Sequence, residues 1–236
     1  MEHALLKLMH DTEDSWWYRG RALVVARVLG KFMRKRAAHA IDIGAGYGGM
    51  RPTLERFART VDAVEPDLEA RQFLTHVGYA RIFDTEEEAF TSAYDLIGLF
   101  DVVEHIEDDA GFMRRVGAHM HTGGRVVLTV PAYQWLWSSH DERNHHFRRY
   151  TRRRMITLLE HADLKVEYAG HWNMSLFPVA ALRCLIGVPG ETGLRTGPLI
   201  DRILYGIVWI ESLLARIMPL PFGLSIIAVA TPERPI

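Results

Sequence analysis

The chain has 236 residues, 48% of them hydrophobic, enough for one sizeable core with room for a small subdomain. A net charge of −1 and a pI near 6.9 supply no global field for nucleic acid or an anionic membrane, so no nucleic-acid partner is expected. The one cysteine, Cys184, excludes an internal disulfide, suits a reducing compartment, and reads as a small core residue in its apolar setting.

Met1 to Arg19 lacks a basic-then-apolar leader pattern, and no apolar run reaches bilayer-spanning length. A cytoplasmic protein is therefore expected. Residues 2–36 read as a helix with an apolar patch at Leu23, Val24, Val25, Val28 and Leu29 and a basic end at Lys31 to Arg36. Ala40 to Ile43 is a short buried-strand pattern running into a glycine cluster. A helix is predicted over Met50 to Ala58, a strand over Val61 to Val64, and a helix capped by Asp67 through His76. Ala80 to Phe83 is a weak third strand and Leu96 to Phe100 a strong fourth. Asp108 to Met120 reads as a helix stopped by Gly123 and Gly124, and Arg125 to Val130 as a fifth strand. This alternation predicts a parallel sheet covered on both faces.

A polar and aromatic loop, Ala132 to Tyr150, follows. Thr151 caps a helix to His161, Leu164 to Tyr168 is a sixth strand, and Gly223 to Ala230 is the last. Two apolar helical stretches lie between, Ser175 to Ile186 and Leu199 to Met218. On the second, Ile200, Ile203, Leu204, Ile207, Ile210, Leu214 and Ile217 share one side and Asp201, Glu211, Ser212 and Arg216 the other. The apolar side is expected to pack on the core; the alternative is a lid over a greasy acceptor or a peripheral membrane contact through 175–218. Arg143, Arg148, Arg149, Arg152, Arg153 and Arg154 crowd one stretch, either a solvated face or an anion-binding one.

Asp42-Ile43-Gly44-Ala45-Gly46-Tyr47-Gly48-Gly49 joins a strand to a helix, where glycines allow a tight turn and close approach of a ligand. Gly44, Gly46 and Gly49 also satisfy the dinucleotide fingerprint. A carboxylate at Asp42 would repel a pyrophosphate but attract a cofactor bearing an ammonium and a sulfonium. Glu65 ends the next strand and can accept from both hydroxyls of a ribose, which fits NAD equally well.

Asp42, Gly44, Gly46 and Gly48 match the D-x-G-x-G-x-G signature, and on it the chain resembles the class I methyltransferases that use S-adenosylmethionine (SAM). Trp16-Trp17-Tyr18-Arg19-Gly20-Arg21, Asp101-Val102-Val103-Glu104-His105, His140-Asp141 and His146-Phe147-Arg148-Arg149-Tyr150-Thr151 look like a bacterial subfamily, many of whose members belong with cell-envelope glycan and lipid pathways. The resemblance implies a Rossmann-like α/β fold of seven strands with an antiparallel last strand between the fifth and sixth. It implies one domain over 1–236: a helical cover (1–37), a SAM-binding core (38–131) and an acceptor-side half (132–236) with a helical insertion at 174–219. It assigns Glu65 to the ribose and Asp84 to the adenine amino group, although Asp84 also reads as a cap for Glu86 to Glu88. Ala45, Pro66, Thr85, Phe100 and Asp101 fall at the other strand ends that the cofactor would touch, and Tyr18 and Arg21 on the cover above them; Arg19 or Arg21 would pair with the SAM carboxylate while Trp17 or Tyr18 closes over it.

Asp101, Glu104 and His105, with His146, His145 or His140, are candidate ligands for a divalent metal by likeness to small-RNA 2′-O-methyltransferases and ubiquinone-pathway O-methyltransferases; no metal is firmly expected. Without one, His146 or His140 is the candidate base and Asp141 its orienting partner. Arg148, Arg149 and Tyr150 are candidates to grip an anionic acceptor, and Trp135 and Trp137 to stack on it. The reading is O-methylation of a small or lipid- or glycan-linked acceptor. The alternatives are an NAD(P)-dependent oxidoreductase, a non-catalytic SAM-binding protein and an RNA methyltransferase.

Overall fold

The computed structural model describes residues 14–187 and 196–233. The start of the predicted first helix lies outside them; its described part is α1, Trp16–Leu29. Seven strands follow: β1 Ala37–Ile43, β2 Ala58–Val64, β3 Ile82–Phe83, β4 Tyr94–Phe100, β5 Met120–Pro131, β6 Leu164–Trp172 and β7 Ser225–Pro232. They form one sheet in the order β3-β2-β1-β4-β5-β7-β6. The first five are mutually parallel, and β7 is antiparallel to both β5 and β6. The order reverses between β1 and β4, so a crevice opens outside their carboxyl ends.

Successive residues of a strand face opposite sides of the sheet, and both sides are buried. On β4 and β5, Ile97 and Val126 join one core with Phe112 and Tyr150, while Leu96 and Val127 join the other with Val28, Leu54 and Trp172. The remaining described helices are α2 Arg51–Leu54, α3 Leu68–Val77, α4 Glu86–Ala89, α5 Asp109–Ala118, α6 Ser139–Arg143, α7 Arg152–Glu160, α8 Phe177–Leu185 and α9 Pro198–Ile217.

Several local expectations are corrected. The helix predicted over Met50 to Ala58 is a single turn, because Ala58 already pairs with Ala37 as β2 opens. Gly123 and Gly124 do not stop a helix. The helix ends at Ala118, and both glycines lie inside β5, where a side chain on Gly124 would sit 2.8 Å from the His121 carbonyl. Thr85, not Asp84, caps the helix of Glu86 to Glu88. The loop after β5 holds a 3-10 turn at Gln134–Leu136 and α6. Cys184 is exposed rather than a core residue, its thiol 3.1 Å from the Trp135 carbonyl.

The largest correction concerns α9. Leu204 packs on the core and Ile207 is half-buried, but the rest of its apolar stripe, Ile200, Ile203, Ile210, Leu214 and Ile217, faces solvent, while Val208, Glu211, Ser212 and Ala215 are buried. The helix docks on α1, where Gly20 is required: a Cβ there would meet Val208 Cγ1 at 2.8 Å. The contact is too close for the long side chains of the apolar stripe, so small and polar residues occupy it. No helix among the described residues is long and apolar enough to cross a membrane.

Candidate active site

The first four parallel strands each deliver an acid or a glycine loop to the crevice. β1 ends in the glycine loop, where Gly44, Gly46 and Gly48 all take left-handed φ, at 70°, 56° and 91°. A side chain on Gly44 would strike Val102 Cγ2 at 2.6 Å, and one on Gly48 would strike Val77 at 2.9 Å. Gly46 differs, since a Cβ there would meet nothing within 4 Å. Its backbone faces open space, the condition for a ligand to approach closely. Ala45 pins the loop by donating its N–H to the Val64 carbonyl at 3.1 Å.

Asp42 lies fully within this wall, and burial pushes its carboxyl up to about 7, against a 2.7 Å hydrogen bond from the Tyr79 hydroxyl and the nearby positive charge of Arg21. Glu65 turns from the end of β2 onto the loop and accepts from the Gly46 N–H at 2.6 Å and the Asp67 N–H at 2.9 Å. Burial raises its pKa too. Two desolvated carboxylates in one crevice make a site selective for a ligand that brings positive charge and donors.

Asp101 follows β4 in a left-handed conformation (φ 59°). It accepts from Thr129 Oγ1 at 2.9 Å and from the Arg21 guanidinium at 2.6 Å. Arg21 thus ties the helical cover to the strand end, and Tyr18 lies beside the same guanidinium, 5.1 Å from it. Arg19 pairs with Asp201 of α9, away from the glycine loop. Trp17 packs on Trp172 at 4.8 Å. Phe100 is buried with its ring over Gly98. On the far side of the crevice, Pro66 and Thr85 are exposed, and Asp84 pairs with Arg71.

The acceptor side is built by the loop after β5. The Phe147 N–H donates to the Glu104 carbonyl at 2.8 Å, which carries His146 to the turn holding Glu104 and His105. The His105 and His146 rings meet edge to face at 4.5 Å, with His140 6.2 Å from His146. His145 points out of this group and is exposed. His146 Nδ1 is 2.9 Å from Asp141 Oδ1, and Arg149 holds the same carboxylate with two nitrogens, each at 2.7 Å. Burial opposes ionisation of Asp141, but the hydrogen bonds from His146 and Arg149 outweigh it and hold the carboxyl well below its usual range. With Nδ1–H donated to Asp141, a neutral His146 ring keeps a lone pair on Nε2.

Glu104 is completely buried, and neither carboxylate oxygen has a hydrogen-bond partner. Burial, reinforced by the charge of Asp101, raises its pKa well above the carboxylate range. Burial and the neighbouring His146 lower His105 to about 4. Glu104, His105 and His146 offer ligand atoms within 4.8 Å of one another. An orphaned carboxyl beside two imidazoles suits a divalent cation.

Arg148 and Tyr150 are committed elsewhere. Both bond Asp109, at 2.8 Å each, so with Arg149 they brace the loop from inside. Trp135 is half exposed against Phe177, and Trp137 is half-buried. Tyr79 and Thr129 were missed in sequence, and Gly20 was noted only as part of the Trp16 to Arg21 motif, without its role as a close helix contact. Only Thr129 left a signal, as a polar residue inside the otherwise apolar run Val126 to Val130.

A family model described as a methyltransferase domain matches residues 18–169. The sequence matches no curated protein. Among solved structures, the chain is similar to the SAM-dependent methyltransferase of Clostridium acetobutylicum, at 11% identity over 89% of this chain and 90% of that one, with a TM-score of 0.57. It is also similar to the N-methyltransferase NodS of Bradyrhizobium japonicum, solved with S-adenosyl-L-homocysteine (SAH), at 13% identity over 92% and 88%, with a TM-score of 0.58. The plantazolicin methyltransferase BpumL, solved with a desmethyl plantazolicin analogue and SAH, aligns at 14% identity over 97% and 90%, with a TM-score of 0.60. At these identities the likeness is one of fold.

Proposed function

The chain belongs to the methyltransferase-domain family as a class I enzyme whose methyl donor is SAM, and on that premise we propose that it methylates a hydroxyl oxygen. The observation that carries this reading is the Asp141–His146 pair beside the strand ends. In methyl transfer the acceptor oxygen forms a bond to the methyl carbon as the carbon–sulfur bond breaks, and the sulfur keeps the electron pair to leave as SAH. A hydroxyl acceptor must also lose a proton, and His146 Nε2 takes it while Asp141 stabilises the imidazolium. Asp42 and Glu65 receive the cationic end and the ribose of SAM, and Gly46 lets the cofactor lie on the backbone.

The acceptor is small, or is the reactive end of a lipid- or glycan-linked molecule. Trp135 and Trp137 offer stacking surface for it. Isotope transfer from labelled SAM to hydroxyl- and amine-bearing acceptors tests this. Label appearing only on amines would overturn O-methylation while leaving SAM binding intact.

The orphaned carboxyl of Glu104 supports a second arrangement. Here Glu104, His105 and His146 would hold a divalent cation, with Asp141 orienting His146 from behind. Such a cation would polarise the acceptor hydroxyl and ease loss of its proton. Activity abolished by a chelator and restored by Mg²⁺ or Mn²⁺ would favour this arrangement over the metal-free base.

A further inference from the structure

An amphipathic helix normally turns its apolar side to the core, and α9 does the opposite. Ile200, Ile203, Ile210, Leu214 and Ile217 form one exposed stripe, with Ile217 at 75%. Polar contacts hold the helix in this orientation. Glu211 accepts the Met174 and Ser175 N–H groups at 3.0 and 2.6 Å. Ser212 accepts from Arg27 at 2.7 Å, and Asp201 accepts the Trp16 N–H at 2.7 Å. Rotating α9 to hide its apolar stripe would break all of these and expose the close Gly20–Val208 contact. Helix α8, whose approach is held by Glu211 through the Met174 and Ser175 N–H groups, is open to solvent as well: it buries no residue, and Val179, Leu182 and Leu185 are exposed.

The exposed charges among the described residues of 175–222 have one sign. Among the described residues of 175–222, both acids, Asp201 and Glu211, are turned inward and engaged. The exposed charges on α9 are Arg202 and Arg216. Arg202 lies beside the exposed apolar stripe and Arg216 at the margin of the exposed side, and both are positive. Such a helix complements an anionic bilayer, whose headgroups take the guanidinium groups while the acyl boundary takes the side chains. A second copy of this face would bring arginines towards arginines. At 20 residues α9 is about 30 Å long and does not qualify as a crossing helix, so the contact is a shallow one, parallel to the surface.

We propose that α8 and α9 seat this protein on an anionic lipid bilayer. The aromatic rings of Tyr133, Trp135, Phe177 and Phe222 run from the loop after β5 to this surface. Seating therefore places the acceptor side of the crevice next to the lipid. The binding itself does not depend on the methyl-transfer reading.

The test is co-sedimentation of the full chain with vesicles of phosphatidylcholine alone and of phosphatidylcholine with phosphatidylglycerol. Binding to the anionic vesicles is expected to be stronger by at least about tenfold. The triple variant Ile203→Glu, Ile210→Glu, Ile217→Glu should lose it, with SAH affinity and melting temperature unchanged, because all three side chains are exposed. The pair Arg202→Glu and Arg216→Glu should erase the preference for anionic lipid. A chain that stays in the supernatant with both vesicles would overturn the proposal. So would light scattering that shows a dimer dissociated by the triple variant without any vesicle binding, which would make the face an interface between copies.

Discussion

Asp141 and His146 are joined by a 2.9 Å hydrogen bond, and the same carboxylate is clamped by two nitrogens of Arg149. The imidazole is therefore fixed in both orientation and tautomer before any acceptor arrives. If His146 takes the acceptor proton, His146→Ala should lower kcat by about 10²–10⁴ and leave SAH affinity unchanged. Asp141→Asn should also lower kcat, by removing the charge that stabilises the imidazolium. Unaltered kcat in His146→Ala would exclude it as the base.

Arg149 decides between two roles. Facing Asp141 in a buried pair, it should matter for folding more than for acceptor binding. Arg149→Ala leaves a buried carboxylate short of a partner and should cost about 3 kcal/mol of stability in denaturant unfolding. A variant that melts normally but shows a raised acceptor KM would return Arg149 to the role of gripping an anionic acceptor.

Asp42 links cofactor affinity to pH. Its folded-state pKa, about 7, lies above the 3.8 of a free aspartate, so its ionised form destabilises the empty protein as pH rises. Asp42→Asn keeps an acceptor for the Tyr79 hydroxyl and cannot ionise. Its melting temperature should gain on wild type as pH rises from 3.8 to about 7 and then level off. Wild-type affinity for SAM should strengthen over the approach to pH 7, and the variant should bind weakly at every pH. A parallel pH dependence in the two proteins would remove Asp42 from the cofactor site.

Gly46 separates a folding requirement from a binding one. Alanine there meets no protein atom within 4 Å, so it pays only the left-handed backbone penalty of roughly 1–2 kcal/mol. It would nevertheless occupy the space of the ligand. Gly46→Ala should fold with a modestly lower melting temperature and lose measurable SAH binding by calorimetry. Gly44→Ala, driven against Val102, should lose much more stability. Normal SAH binding in Gly46→Ala would show that the cofactor does not lie on this loop.

Glu104 reports on cations without reference to turnover. If the second arrangement holds, Mn²⁺ should raise the wild-type melting temperature, and Glu104→Gln, similar in shape but a poorer ligand, should abolish the shift. An equal shift in both proteins would place any cation elsewhere.

The glycine loop and its flanking acids were legible because their chemistry is local. Asp42, the three glycines and Glu65 sit within one strand-loop-helix-strand unit, and strand ends there follow directly from the apolar runs. The antiparallel last strand followed from the family likeness rather than from any pattern in its own residues. What could not be read was which partner each polar group would find. Arg19 and Asp201 are 182 positions apart, and nothing in either segment marks the other. The inverted seating of α9 was hidden for the same reason. Periodicity identifies an apolar side but does not say which side meets the protein; that depended on Gly20 making room for Val208 and on Glu211 capturing two backbone N–H groups of another segment. Tyr79 was missed because a tyrosine after Gly78 carries no mark of its reach to Asp42.

The placement of β7 has a consequence for synthesis. Among the described strands β6 pairs with β7 alone, and β7 lies between it and β5. While the ribosome is still making residues 225–232, β1 to β5 can already assemble, but β6, although α7 and α9 can pack on it, has no strand to pair its backbone with. The sheet of the acceptor half is therefore completed only when β7 enters between β5 and β6. A nascent chain held short of residue 225 should stay open to protease around β6 while its first five strands are already protected.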